Sequence, residues 1–116
     1  MLKGLLMLLR LLWIVVLLTG ALFYFHVTVP ISLHIYMGFA IGAILIVIAV
    51  AGLRAATALA AVTILVAILL PVIGILQLKH LTMPDLPYIQ ITHVILGIAA
   101  MALAEIVSKK TRLAAL

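Results

Sequence analysis

The sequence predicts an all-α integral membrane protein: a four-transmembrane-helix bundle made of two repeated helical hairpins with pseudo-twofold symmetry. Three observations carry that prediction. The chain of 116 residues is 70% hydrophobic and 8% charged, with a mean hydropathy of +1.60. A water-soluble domain of this size leaves too much surface exposed to hide so much apolar area. The apolar residues fall into four runs, each near the roughly 20 residues that a helix needs to cross hydrocarbon. Rare polar residues also recur at matching spacing in the two halves.

Residues 1–116 read as a single membrane domain, with hairpin repeat 1 over 5–53 and repeat 2 over 55–108. The first run spans 11–27 and reaches back to Leu5 if Arg10 snorkels to the headgroups. No small-residue cleavage site follows it, so it reads as a span and not as a removed signal. The second run covers 31–53. The third covers 55–78 and contains Pro71, which predicts a kink. The fourth covers 88–108, and the prolines between runs are expected to end one helix and open the next. Four spans leave no room for a soluble domain.

Orientation follows from the cations. Lys3, Arg10, Arg54, Lys109, Lys110 and Arg112 fall on one side of the four spans and only Lys79 on the other. The positive-inside rule then puts both termini and the Gly52–Arg54 turn in the cytoplasm, with the chain in the cell's inner (plasma) membrane. Trp13 near the inner interface and Phe23, Tyr24, Phe25 and Tyr88 near the outer one fit aromatic belts. The net charge of +5 is thus a topology signal, which makes the lipid bilayer the first partner and points away from nucleic acid. The absence of cysteine excludes disulfides and thiolate metal sites.

The repeat rests on residue types that chance rarely aligns. A shift of 54 positions superposes Gly20, His26, Thr28 and Pro30 on Gly74, His80, Thr82 and Pro84. A shift of 59 superposes HIYMGFAIGA, starting at His34, on HVILGIAAMA, starting at His93. Two hairpins running in the same direction, related by an axis along the membrane normal, explain both blocks. All four histidines then come to the outer leaflet. An intramembrane histidine is costly, and it is a candidate functional group for that reason.

His34 and His93 carry the sharper chemistry. Residues four apart share a helix face, so Gly38 and Gly42 lie below His34, while Gly97 and Met101 lie below His93. Such small-residue stripes also bring membrane helices together without any cofactor. Paired with histidine in both halves, they suit a flat macrocycle held between two helices by one neutral imidazole from each side. An outward histidine near the start of the second and fourth helices of a duplicated hairpin resembles one half of the haem A synthase family. More loosely, it resembles small four-helix membrane cytochromes of b type.

That resemblance implies His34 and His93 as axial ligands of one haem b, with Gly38 and Gly97 making room. His26 and His80 would meet the propionates at the bundle mouth, beside Lys79, Thr28, Thr82, Ser32, Tyr88 and Gln90. The synthases place a glutamate three residues before the helix-two histidine, where this chain has Ile31, so the resemblance extends to haem binding and not to methyl oxidation. A two-haem enzyme would require a dimer. The function this implies is one-electron transfer between a membrane quinol or redox partner protein and an outer acceptor, in a homodimer or a subunit of a larger membrane complex. Four histidines on a bare copper, zinc or iron ion are the rival. A small cation exporter would need an acid in the first helix, and none is there. A structural subunit of a larger complex is the third class. Glu105 is expected to pair with Lys109 on its own helix, and Asp85 to sit in a solvated turn.

Overall fold

The computed structural model describes all 116 residues as four α-helices: α1 (Leu2–Tyr24), α2 (Ile31–Ala51), α3 (Thr57–Lys79) and α4 (Leu86–Ala114). Each is long and apolar enough to cross a membrane, and there is no strand. A backbone in hydrocarbon must satisfy its own polar groups, which long runs of Leu, Ile, Val and Ala do as continuous helix. The bundle measures 50 × 23 × 16 Å. Helix α3 packs along α2 and α4, α1 lies against the same two helices, and α2 meets α4 across the middle; α1 and α3 do not touch. Both termini and the Gly52 turn lie at one end, hereafter the terminal end. The two loops carrying His26 and His80 lie at the other, the histidine end.

The packed core sits in the terminal half. It is built from Leu6 and Leu9 of α1, Ile41, Leu45 and Ile48 of α2, Val66 and Ala67 of α3, and Ala100, Ala104 and Val107 of α4. Toward the histidine end, Thr19 is the one buried side chain. Elsewhere large apolar side chains point outward on every helix, which suits a lipid surround.

Several boundaries differ from the expected ones, each for a physical reason. Helix α1 begins at Leu2, and Arg10 within it is paired: its Nε donates to Glu105 Oε1 at 2.6 Å and a terminal nitrogen donates to Oε2 at 2.9 Å. Glu105 is therefore bridged to α1 and not to Lys109, since a bidentate guanidinium contact is stronger than a pairing along one helix. Helix α4 runs six residues past 108, sustained by Lys109, Lys110 and Arg112, which are good helix formers. Trp13 also has a partner on another helix. Its indole N–H donates to the Gly97 carbonyl at 3.0 Å, inside the bundle.

The prolines meet the expectation only in part. Helix α1 ends well before Pro30, where the His26 N–H reaches the Phe23 carbonyl and the Val27 N–H the Leu22 carbonyl, at 3.0 and 2.9 Å. These are the two bonds of a Schellman cap, with His26 at φ 59° in the position glycine usually takes. Pro30 caps the start of α2, and Pro87 rather than Pro84 lies in the first turn of α4. Helix α3 runs through Pro71 without a break. Pro71 offers no N–H to the Ala67 carbonyl, and that oxygen lies 3.5 Å from where a Gly42 Cβ would stand, so α2 lays its glycine onto the freed carbonyl.

The tightest backbone approach is at Gly52, where a Cβ would collide with Val107 Cγ1 and stand 2.9 Å from Thr111 Oγ1 of α4. Gly52→Ala should therefore cost about 1–3 kcal/mol by overpacking, read as a lower unfolding midpoint in detergent. Gly4→Ala, where nothing lies within 4 Å, should not. At the other end His26→Gly should raise the midpoint, because a left-handed non-glycine residue costs roughly 1–2 kcal/mol.

Candidate functional site

His34 lies in the first turn of α2 and His93 in the second turn of α4, and both side chains are half-buried. Because α2 and α4 meet across the middle, the two imidazoles face each other with centroids 6.4 Å apart and planes at 51°. Two imidazoles that ligate one metal centre from opposite sides, each nitrogen roughly 2 Å from it, have centroids roughly 6 Å apart. Phe23 closes one side, edge-on to His34 at 6.3 Å.

The rings rest on glycines of the other two helices. A Cβ at Gly20 would stand 3.3 Å from His34 Cε1, and one at Gly74 would stand 3.2 Å from His93 Cε1. These two glycines leave space for the imidazoles, and Gly38 and Gly97 do not serve that purpose. Around a Cβ at Gly38 or Gly97 there is nothing within 4 Å, so both leave open space below the histidines. Sequence reasoning found Gly20 and Gly74 only as markers of the repeat. Their partners are 14 and 19 residues away, beyond the reach of any helix-face rule.

Thr19 is the further residue that sequence reasoning missed. Its hydroxyl donates to the Val16 carbonyl at 2.9 Å, and its oxygen lies 2.8 Å from His34 Nδ1. A hydroxyl has one hydrogen, which the carbonyl takes, so the imidazole is the donor and Nδ1 carries its proton. That tautomer leaves the Nε2 lone pair free, the state a metal-ligating histidine needs. In the second half the position matching Thr19 under the 54-residue shift is Ile73, which has no hydroxyl. His93 Nδ1 accordingly lies buried with no partner. An orphaned imidazole nitrogen in an apolar bundle is costly unless something else completes the site.

His26 and His80 do not join this pair. His26 is exposed at the end of α1. His80 Nδ1 donates to Asp85, at 3.0 and 3.2 Å from its two oxygens, and Asp85 sits exposed in a turn as expected, closing its own loop. No three His, Asp or Glu side chains gather in a way that could hold an ion, so the four histidines do not converge on a tetrahedral centre. What the site offers is two half-buried imidazoles from different helices, close enough to contact one bound atom. Gly38 and Gly97 leave open space one turn below the two rings.

No protein-family model, curated protein or solved structure matches this chain.

The tautomer is open to direct measurement. Nitrogen-15 spectra of the apoprotein should show His34 as the Nδ1–H form, and Thr19→Val should convert it to a mixture while leaving His93 unchanged. An Nε2–H His34 in the unaltered protein would contradict the hydroxyl bookkeeping.

Proposed function

We propose that this chain is a membrane-embedded b-type haem-binding protein that passes single electrons near the face of the membrane where its histidines lie. The observation that carries the reading is the opposed pair His34 and His93 at 6.4 Å, in the one part of the bundle without an apolar core. Haem iron between two imidazoles supplies a one-electron couple with both axial positions filled. The protein's own residues do the rest: His34 and His93 ligate, Thr19 fixes the His34 tautomer, and Gly38 and Gly97 leave space for the ring. His26 and His80 offer donors to propionates at the rim, and Asp85 orients His80 for that role. No residue is assigned to bond-making chemistry, so electron transfer fits this site better than catalysis.

The duplicated hairpin belongs to the same reading. Gly20 meets His34 as Gly74 meets His93, and α2 and α4 meet where the pseudo-twofold axis would run. The segregation of six cations to the terminal end favours both termini in the cytoplasm and the histidines outside, in the plasma membrane. A quinol or a redox partner protein would then exchange electrons at the histidine end. The apolar exterior suits a homodimer or a place in a larger membrane complex.

A reduced-minus-oxidised visible spectrum of detergent-purified protein tests the proposal. A sharp alpha band of bis-imidazole haem, lost in His34→Ala and in His93→Ala, is the expected outcome. A colourless protein carrying stoichiometric copper or zinc sinks it.

A further inference from the structure

The seam between α1 and α4 at the terminal end carries a second, unrelated feature. Arg10 and Glu105 bridge the two helices there, and the pair consumes the only acidic side chain at that end. Lys3 lies seven residues from Arg10, on the same face of α1 and roughly 10 Å nearer the terminal end. Lys109 and Arg112 lie four and seven residues beyond Glu105 on its face of α4, roughly 6 and 10 Å nearer that end. The ion pair is thus a neutral floor, with cations on both walls above it. Lys3 and Lys109 are exposed and have no carboxylate partner, while Arg112 gives its Nε to the Ser108 carbonyl and its charge also acts on Glu105. On the other side of the floor the same two helix faces become apolar and outward-facing, with Ile14 on α1 and Ile98 on α4.

We infer that this seam binds an anionic glycerophospholipid, its phosphate held by Lys3, Lys109 and Arg112 and its acyl chains lying past the ion pair along Ile14 and Ile98. Unscreened cations at a helix seam favour a phosphate, and the apolar strip continuous with them favours one that carries acyl chains over one free in water. Arg54 and Lys110 are equally exposed, but neither belongs to this seam: Arg54 is in the α2–α3 turn, and Lys110 is five residues from Glu105, off its face. The assignment is independent of any haem.

Full-length protein in phosphatidylcholine nanodiscs, with and without phosphatidylglycerol, tests it by thermal unfolding and by counting retained lipid after detergent extraction. Phosphatidylglycerol should raise the unfolding midpoint and remain bound, whereas inorganic phosphate at the same concentration should do neither. Lys3→Gln with Lys109→Gln should weaken retention on the order of tenfold to thirtyfold, each cation near an anionic surface contributing a several-fold factor. Arg54→Gln with Lys110→Gln removes the same charge and should leave retention intact. Equal loss in both double variants would reduce the effect to diffuse surface attraction and overturn the site. So would a midpoint that inorganic phosphate raises as far as the lipid does, or one that phosphatidylglycerol fails to move.

Discussion

Helix α1 is held in register by three polar contacts at three depths, and the geometry of the histidine pair depends on them. Arg10 grips Glu105 of α4, Trp13 reaches the Gly97 carbonyl of α4, and Thr19 engages His34 of α2. From Arg10 to Thr19 these anchors span roughly 14 Å of helix. In lipid the apolar outside of a helix gains little by turning toward its neighbours, so directional bonds and close packing decide rotation and register. A helix pinned at three heights cannot slide by a turn without breaking all of them. Thr19 can therefore stand at a fixed distance from a ring on another helix.

Helix α3 is secured by the opposite means. Its threonines, Thr57 and Thr63, bond back to carbonyls four residues earlier and reach no other helix. Contact comes instead from small residues: Ala60 and Ala67 are buried, Gly42 of α2 sits over the Ala67 carbonyl, and Gly74 accepts the edge of His93. Two hairpins with similar sequence patterns thus use two ways of fixing a helix in a membrane, polar anchors in one and close approach in the other. The histidine pair inherits that difference, with one imidazole oriented by a hydroxyl and its counterpart left with a free nitrogen.

Much of this architecture was legible in the sequence because the bilayer makes length and hydropathy nearly sufficient. Four runs of adequate length gave four helices, and the matched spacing of His34 and His93 gave two rings at one level. What escaped the sequence was contact between helices. Nothing in the local pattern around Trp13 announces that its N–H aims at a backbone carbonyl 84 positions away. Glu105 had a plausible partner at i+4 in Lys109, and only the placement of α1 makes Arg10 the nearer one. The end of α1 misled for a different reason. Proline is the familiar stop signal, but a left-handed histidine closed the helix first, and that conformation is rarely taken by a side chain of this size.

The uneven distribution of the core joins these points. Apolar packing is concentrated in the terminal half, where the Gly52 turn is clamped on Val107 and Thr111 and where Arg10 and Glu105 tie the outer helices. That half holds most of the buried apolar side chains. The histidine half is then free of the need to be filled, and it carries half-buried imidazoles, an unpartnered nitrogen and two glycines facing open space. In a protein stabilised evenly along its length, such a region would be a packing defect. Here the imidazoles are held instead by the Thr19 hydroxyl and by close approach to Gly20 and Gly74, contacts that fix their position without a filled core.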